Sequence, residues 1–290
     1  MSILRSAAKR VFPRVAMRYA LRQRLDAVVP RGLRDMNPES GTATWNGHEG
    51  IELRVDRQLE LIERWRRDYR ELFAALRADE RINPIATGRD WIFNGWFQTP
   101  DAEIYAAVIA DTRPTSIVEV GGGYSTLIAR RALDMLDLHV PVVVVDPEPR
   151  TDVSTAADEV VRAPIEHADD SSLPLRDRPL LFIDSSHVVR ANGDVVKLYT
   201  RVVPKLPVGS TVHAHDIYLP YDYPPRFQYR LYTEQYVLQA LLSGAARYEV
   251  LLSAYLLAAA EPAAMENVFG NVRESTGNPR GLSFWFRVVS

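Results

Sequence analysis

The chain has 290 residues, 47% of them hydrophobic and 25% charged. That size and balance give one large domain, or one domain plus an extension, and exclude disorder across the whole chain. There is no cysteine, which excludes disulfides, Cys-ligated zinc, iron–sulfur clusters and thiol catalysis, and is compatible with the reducing cytoplasm as its location. The net charge of −2 hides an asymmetry: residues 1–32 carry eight Arg or Lys against one Asp, a balance of +7 that leaves −9 for the rest.

The N-terminus lacks the apolar core of a signal peptide. From Ile3 to Val29, Arg10, Arg14, Arg18 and Arg22 recur every four residues and share one helix face, with a break or kink at Pro13. Such a basic amphipathic helix either lies on an anionic membrane surface, here the inner one, through residues 1–30, or packs on its own domain or a partner chain; packing is the simpler reading. Residues 33–50 read as a loop. Ile51 to Arg81 is the clearest helix, with Leu59, Ile62, Trp65, Tyr69, Leu72, Phe73 and Leu76 at the helical period. Residues 82–99 are irregular and hold Trp91, Phe93, Asn94, Trp96 and Phe97, aromatics that pack or close over a ligand. The expected division is therefore a helical extension over 1–90 and a second domain over 91–290.

From Asp101 the pattern alternates. Helices are expected over 101–111, 126–136, 193–206 and 233–243, and strands over 115–120, 140–145, 160–165, 179–183, 210–217, 248–253 and 282–289. Apolar strands alternating with helices imply an α/β fold with a parallel sheet covered on both faces. The longest weakly polar stretch, Val250 to Ala260, falls short of the roughly 18 residues that a membrane-spanning helix needs.

In such a sheet, ligands bind beyond the carboxyl ends of the strands. The chemistry-bearing residues fall at those ends: Glu119, Asp146, Asp184, His187, His215 and Asp216. Charged groups there would be costly in a purely structural domain. The first strand runs into Gly121-Gly122-Gly123, followed by Tyr124 and Ser125 at a helix start. Glycines let a ligand approach the backbone, and the helix start offers free N–H groups. Asp146 ends the next strand, 23 residues after Gly123, where an acid accepts hydrogen bonds from ribose hydroxyls. A dinucleotide loop wants G-x-G-x-x-G, and Thr126 stands where its third glycine belongs.

Glu119-Val120-Gly121-Gly122-Gly123 with Asp146 resembles the first motif of class I S-adenosylmethionine-dependent methyltransferases. Asp184-Ser185-Ser186-His187, then Asp194, then Leu206-Pro207-Val208-Gly209 and the strand ending His215-Asp216, is similar to a D-x-x-H bacterial group within that family. That group includes metal-dependent sugar O-methyltransferases. The resemblance covers about residues 93–290. It implies a Rossmann-like seven-stranded, mostly parallel sheet with the last strand antiparallel. It implies S-adenosyl-L-methionine as cofactor, bound by Glu119, Gly121, Gly122, Gly123, Tyr124, Ser125 and Asp146. It implies a divalent metal, Mg²⁺ in that group, on Asp184 and Asp216, with His187 as general base; His215, beside them, is a further metal-ligand candidate that would favour Mn²⁺ or a similar ion. His215 departs from the group, which has an acid there. Either a softer metal binds, or none does and His215 is itself catalytic.

The activity implied is O-methylation of a hydroxyl on a small molecule or saccharide. The base takes the hydroxyl proton as the methyl group is transferred. His213, deeper in its strand, reads as a core residue, and His48, His139 and His167 as surface or loop residues. Tyr218, Tyr221, Tyr223, Phe227, Tyr229 and Tyr232 form an acceptor wall or a packed loop. The acidic charge outside residues 1–32 argues against nucleic acid as a partner. The extension covers the acceptor site, mediates formation of a homo-oligomer, or both. Two other readings stay open: an iron-dependent oxygenase-like relative using His215 and Asp216, and a membrane-surface scaffold that binds the cofactor without transfer.

Overall fold

The structure, a computed structural model, describes residues 49–86, 89–224, 227, 230–272 and 280–290. The N-terminal basic helix, His48 and most of the 33–50 loop lie outside the described residues. The chain forms two compact units, one of Asn46–Asp222 with Thr233–Ser290 and one of Met1–Trp45 with Tyr223–Tyr232.

The amphipathic stretch from Ile51 forms two helices, α1 (Val55–Asp68) and α2 (Arg70–Ala78), broken at Tyr69, whose φ of −119° leaves the helical region. The break accompanies a convergence of donors on Asp111, near the end of α3 (Asp101–Thr112). Arg64 donates to both its oxygens at 2.9 and 2.6 Å, Trp65 Nε1 donates at 2.7 Å, and the Tyr69 hydroxyl donates as well. Ile62, Trp65, Leu72, Phe73 and Leu76 share one core with Ile104, Tyr105 and Ile109 of α3. Residues 55–78 thus pack inside the unit that holds the sheet, on the domain side of the boundary expected at residue 90. Buried Glu103 of α3 completes the join by accepting from Arg77 of α2 at 2.9 Å.

The sheet has seven strands: β1 (Ile117–Val120), β2 (Val142–Val145), β3 (Glu159–Val161), β4 (Leu180–Ile183), β5 (Thr211–Ala214), β6 (Tyr248–Ser253) and β7 (Phe284–Val288). Their order is β3-β2-β1-β4-β5-β7-β6, with β7 antiparallel to both neighbours and the first five strands parallel. This is the α/β sheet expected. Between strands run α4 (Tyr124–Met135), α5 (Asp194–Lys197) and α6 (Glu234–Leu242). β3 is shorter than expected, because Pro164 has no N–H for the ladder, and Ile165–His167 turns instead into a 3₁₀ helix. α5 passes directly into a π turn over Leu198–Val202. Two helices escaped the periodicity: α7 (Ala254–Ala260), whose first turn Ser253 caps, and α8 (Pro262–Phe269), which starts on a proline. Among the described residues no helix is long and apolar enough to cross a membrane.

The register fixes where the chemistry falls. Val120 pairs with both Val145 and Ile183, and Ile183 pairs with Ala214. The next residue on each strand is therefore at one level: Gly121, Asp146, Asp184 and His215. They line the edge beside the switch point between β1 and β4, from which the chain winds outward in both directions.

Candidate functional site

The glycine turn leaves β1 with Gly121 at φ +93°, a conformation L side chains rarely adopt. A Cβ there would lie 2.0 Å from the backbone oxygen of Asp184, so this glycine lets β1 and β4 emerge side by side. At Gly122 a Cβ would lie 2.5 Å from buried Val144. At Gly123 the nearest neighbour is Arg150 Cβ at 3.9 Å, an ordinary contact distance, so a Cβ would meet no clash there. The Gly122 N–H donates to Asp146 Oδ2 at 2.8 Å, and the Glu148 N–H to Oδ1 at 2.7 Å.

Glu119 lies beneath this turn, fully buried, accepting from Tyr105 at 2.9 Å, Ser125 at 3.2 Å and Thr126. Thr126 in turn accepts from the Gly123 N–H at 3.1 Å, so the chain Gly123–Thr126–Glu119 braces the start of α4. Burial outweighs these hydrogen bonds and raises the Glu119 pKa to about 7. Ser125 turns inward to Glu119, while Tyr124 is partly buried and packs against the core.

The second half of the site lies beyond β4 and β5. His187 Nε2 is 3.2 Å from Asp184 Oδ1 and 3.5 Å from Asp216 Oδ2, and Nδ1 is 2.7 Å from Glu234 Oε2. Burial alone would lower its pKa. The bonds to Asp184 and Glu234 and the charges of Glu234 and Asp216 outweigh it and hold the ring well above the usual imidazole range. Asp184 is likewise held well below the usual carboxylate range, its burial outweighed by His187 and His215. The His215 Nδ1 is 3.9 Å from Asp184 and 3.8 Å from Asp216, and its Nε2 is 3.6 Å from Asp101, beyond hydrogen-bond length. Against burial, these acids raise its pKa to about 9. His187 and Asp216 both adopt left-handed backbone, at φ +60° and +55°. His213 takes the core role expected: it is fully buried, stacked at 4.0 Å on Phe182 and bonded to Ser283, and burial drives its pKa well below the usual range.

The structure thus gathers Asp184, His187, His215 and Asp216, and sets the glycine turn and Asp146 beside them. Among the described residues no group of three or more His, Asp or Glu stands in metal-holding geometry. His187 Nε2 lies within 3.5 Å of both carboxylates expected to hold a metal.

Three residues were not anticipated. Asp101, at the start of α3, accepts from the backbone N–H groups of Leu282 and Ser283 and faces His215. Glu234 and Tyr199 stand behind His187. For Asp101 and Glu234 the available signal was an acid at the start of a largely apolar helix. Of the irregular 82–99 segment, Phe97 packs 5.2 Å from His215, while Trp96 remains 58% exposed under the Arg150 guanidinium at 4.2 Å. Of the aromatic segment, Tyr218 is fully buried and packs on Tyr255 at 4.7 Å, whereas Tyr221 is exposed. Within the other unit, Tyr223 packs on Phe227 and Tyr232, and Tyr229 lies outside the described residues.

A family model described as a methyltransferase domain matches residues 118–217, the span that runs from β1 to the end of β5 and carries the glycine turn and the strand-end cluster. No curated protein matches the chain. Solved structures similar to it include the S-adenosylhomocysteine-bound methyltransferase PaMTH1 of Podospora anserina, with 15% identity, 84% of this chain and 92% of that one covered and a TM-score of 0.41. A putative O-methyltransferase from Klebsiella pneumoniae has 14% identity, 94% and 97% coverage and a TM-score of 0.40. A putative methyltransferase from Thermobifida fusca has 11% identity, 83% and 96% coverage and a TM-score of 0.38.

Proposed function

We propose that this chain is an S-adenosylmethionine-dependent O-methyltransferase acting on a hydroxyl of a small molecule or saccharide. One observation carries the reading: Gly121 abuts the backbone of Asp184, so a turn open to a nucleoside cofactor joins directly onto a cluster of acids and imidazoles. The methyltransferase-domain match over residues 118–217 supports it.

The residues fit the cofactor. Beyond its own chain neighbours, nothing crowds the place where a Gly123 Cβ would stand closer than Arg150 Cβ at 3.9 Å, so the turn presents backbone there rather than a side chain. Asp146 accepts one backbone N–H on each oxygen, and a carboxylate has about four lone-pair sites, so acceptor capacity remains for ribose hydroxyls. Glu119, Ser125 and Thr126 act from below, holding the turn in shape. S-Adenosylmethionine, when bound, supplies a methyl group already activated on a positively charged sulfur.

Asp101, Asp184, Asp216 and Glu234 outnumber the two imidazoles, so the strand ends hold an excess of negative charge even with both rings protonated. That field favours a cationic sulfonium and disfavours an anionic acceptor. Buried aligned groups of this kind act mainly by orienting the reactants and excluding water. His187 Nε2 is the proton acceptor we assign. Its surroundings raise its pKa and keep it protonated at neutral pH in the free protein, so it acts once that proton has passed to solvent. His187 Nε2 lies 3.2 Å from Asp184 and 3.5 Å from Asp216, so a cation held by these two carboxylates would have to displace the ring.

Calorimetric titration with S-adenosylhomocysteine tests the reading. Micromolar-range binding to the wild type, weakened at least tenfold in Asp146→Asn, supports it. A folded wild-type protein that does not bind S-adenosylhomocysteine refutes it.

A further inference from the structure

His187 is fixed from behind by a single helix start. Glu234, the first residue of α6, is fully buried. Its Oε2 lies 2.7 Å from His187 Nδ1, and its Oε1 accepts from the Tyr199 hydroxyl at 2.8 Å. The same turn grips the backbone: the N–H groups of Thr233 and Glu234 both donate to the His187 carbonyl, at 2.8 and 3.1 Å, and the Thr233 hydroxyl accepts from the Val189 N–H at 2.8 Å. These bonds hold His187 in its left-handed conformation, at φ +60°, which strains a residue with a Cβ. Tyr199 comes from the π turn that follows α5, an irregularity that often marks a functional site.

We propose that Glu234 is a positioning residue: it fixes the proton of His187 on Nδ1 and turns Nε2 toward the strand ends, and Tyr199 holds Glu234 in place. An ionised carboxylate only accepts hydrogen bonds, so an imidazole nitrogen 2.7 Å from it carries the proton. The exchangeable position is then Nε2, which faces Asp184 and Asp216. A carboxylate behind an imidazole sets which nitrogen is protonated and how the ring is aimed. What Nε2 acts on rests on the methyl-transfer reading; the tautomer and orientation do not.

The test is proton–nitrogen correlation spectroscopy on the full chain labelled at histidine nitrogen, with His187 assigned by its loss in His187→Gln. In the wild type, Nδ1 of His187 is expected to carry its proton throughout the pH range in which the protein is folded. A wild-type His187 with a bare Nδ1 overturns the proposal without any variant. Glu234→Gln makes a sharper demand. Glu234→Gln keeps the shape of the side chain and removes its charge, so the Nδ1 proton loses a charged acceptor and is expected to lose its downfield shift and to exchange faster with water. A folded Glu234→Gln protein whose His187 Nδ1 proton keeps the wild-type shift and exchange rate overturns the proposal. Tyr199→Phe keeps the carboxylate in place, so the Nδ1 proton is expected to stay. Titrating the same wild-type sample with S-adenosylhomocysteine reads the methyl-transfer proposal separately, because failure to bind leaves the tautomer result standing.

Discussion

The three glycines after β1 make unequal demands, and replacing each with alanine separates packing from ligand binding. At Gly121 the new methyl group would sit 2.0 Å from the Asp184 oxygen and 3.0 Å from its carbonyl carbon, on backbone at φ +93°. Left-handed backbone costs a residue with a Cβ about 1–2 kcal/mol. Forcing a methyl into a filled site adds about 1–3 kcal/mol. The neighbour is strand backbone, which cannot turn aside as a side chain can. Gly121→Ala is therefore expected to lose about 2–5 kcal/mol, which lowers the melting temperature by roughly 4–20 °C at about 2–4 °C per kcal/mol. At Gly123 nothing lies closer than 3.9 Å, so Gly123→Ala is expected to melt like the wild type. The same methyl would stand on the turn assigned to the cofactor, so S-adenosylhomocysteine affinity is expected to fall at least tenfold, about 1.4 kcal/mol. The assays are thermal melts followed by circular dichroism, and calorimetric titration. The reasoning fails if Gly121→Ala melts with the wild type, or if Gly123→Ala binds S-adenosylhomocysteine normally.

Two further predictions concern buried acids. Burial raises the Glu119 pKa from 4.5 to about 7, so the folded chain keeps a proton that the unfolded chain releases. The stability Glu119 contributes is complete below about pH 4.5 and is lost as pH rises through about 7, a change of order 3 kcal/mol. Glu119→Gln removes this part of the slope, so the stability lost between about pH 5 and about pH 8 in urea melts should be smaller for the variant than for the wild type by about 2–3 kcal/mol, the remaining slope coming from His187 and His215; an equal loss in both would falsify the assignment. Arg77→Ala leaves Glu103 buried without its cation, a loss of about 3–5 kcal/mol, and adding Glu103→Gln should recover part of it. If urea melts show Arg77→Ala to be neutral, α2 is not joined to the domain as described.

The periodicity of the sequence carried the sheet well, because buried parallel strands are continuous apolar runs whatever their neighbours. Val142–Val145 and Leu180–Ile183 are of this kind and lie fully inside. It carried α1 and α2 less well. Their apolar face was visible, but the break at Tyr69 depends on Asp111, 42 residues further on, and no local pattern contains that contact. α7 and α8 were hidden for a different reason. Ala254 to Ala260 is short and almost uniformly apolar, so it has no polar face to betray a helical period.

The site divides along the same line. Gly121, Asp146, Asp184 and His215 were legible because each follows the end of a strand, and pairing in register brings successive strand ends to one level. Strand ends alone do not aim a side chain. Aim comes from His187 and Asp216, whose left-handed backbone turns both back over the ends of β4 and β5, and from Glu234 and Asp101, which face the two imidazoles from helix starts far away in sequence. Left-handed residues with a Cβ are strained, and the strain persists only where surrounding bonds over-determine it. At His187 those bonds come from Thr233 and Glu234, 46 and 47 residues downstream of it. The residues that do the chemistry are thus marked by position in the strand pattern. The residues that orient them are marked only by tertiary contact, and so the second set appears once the fold is built.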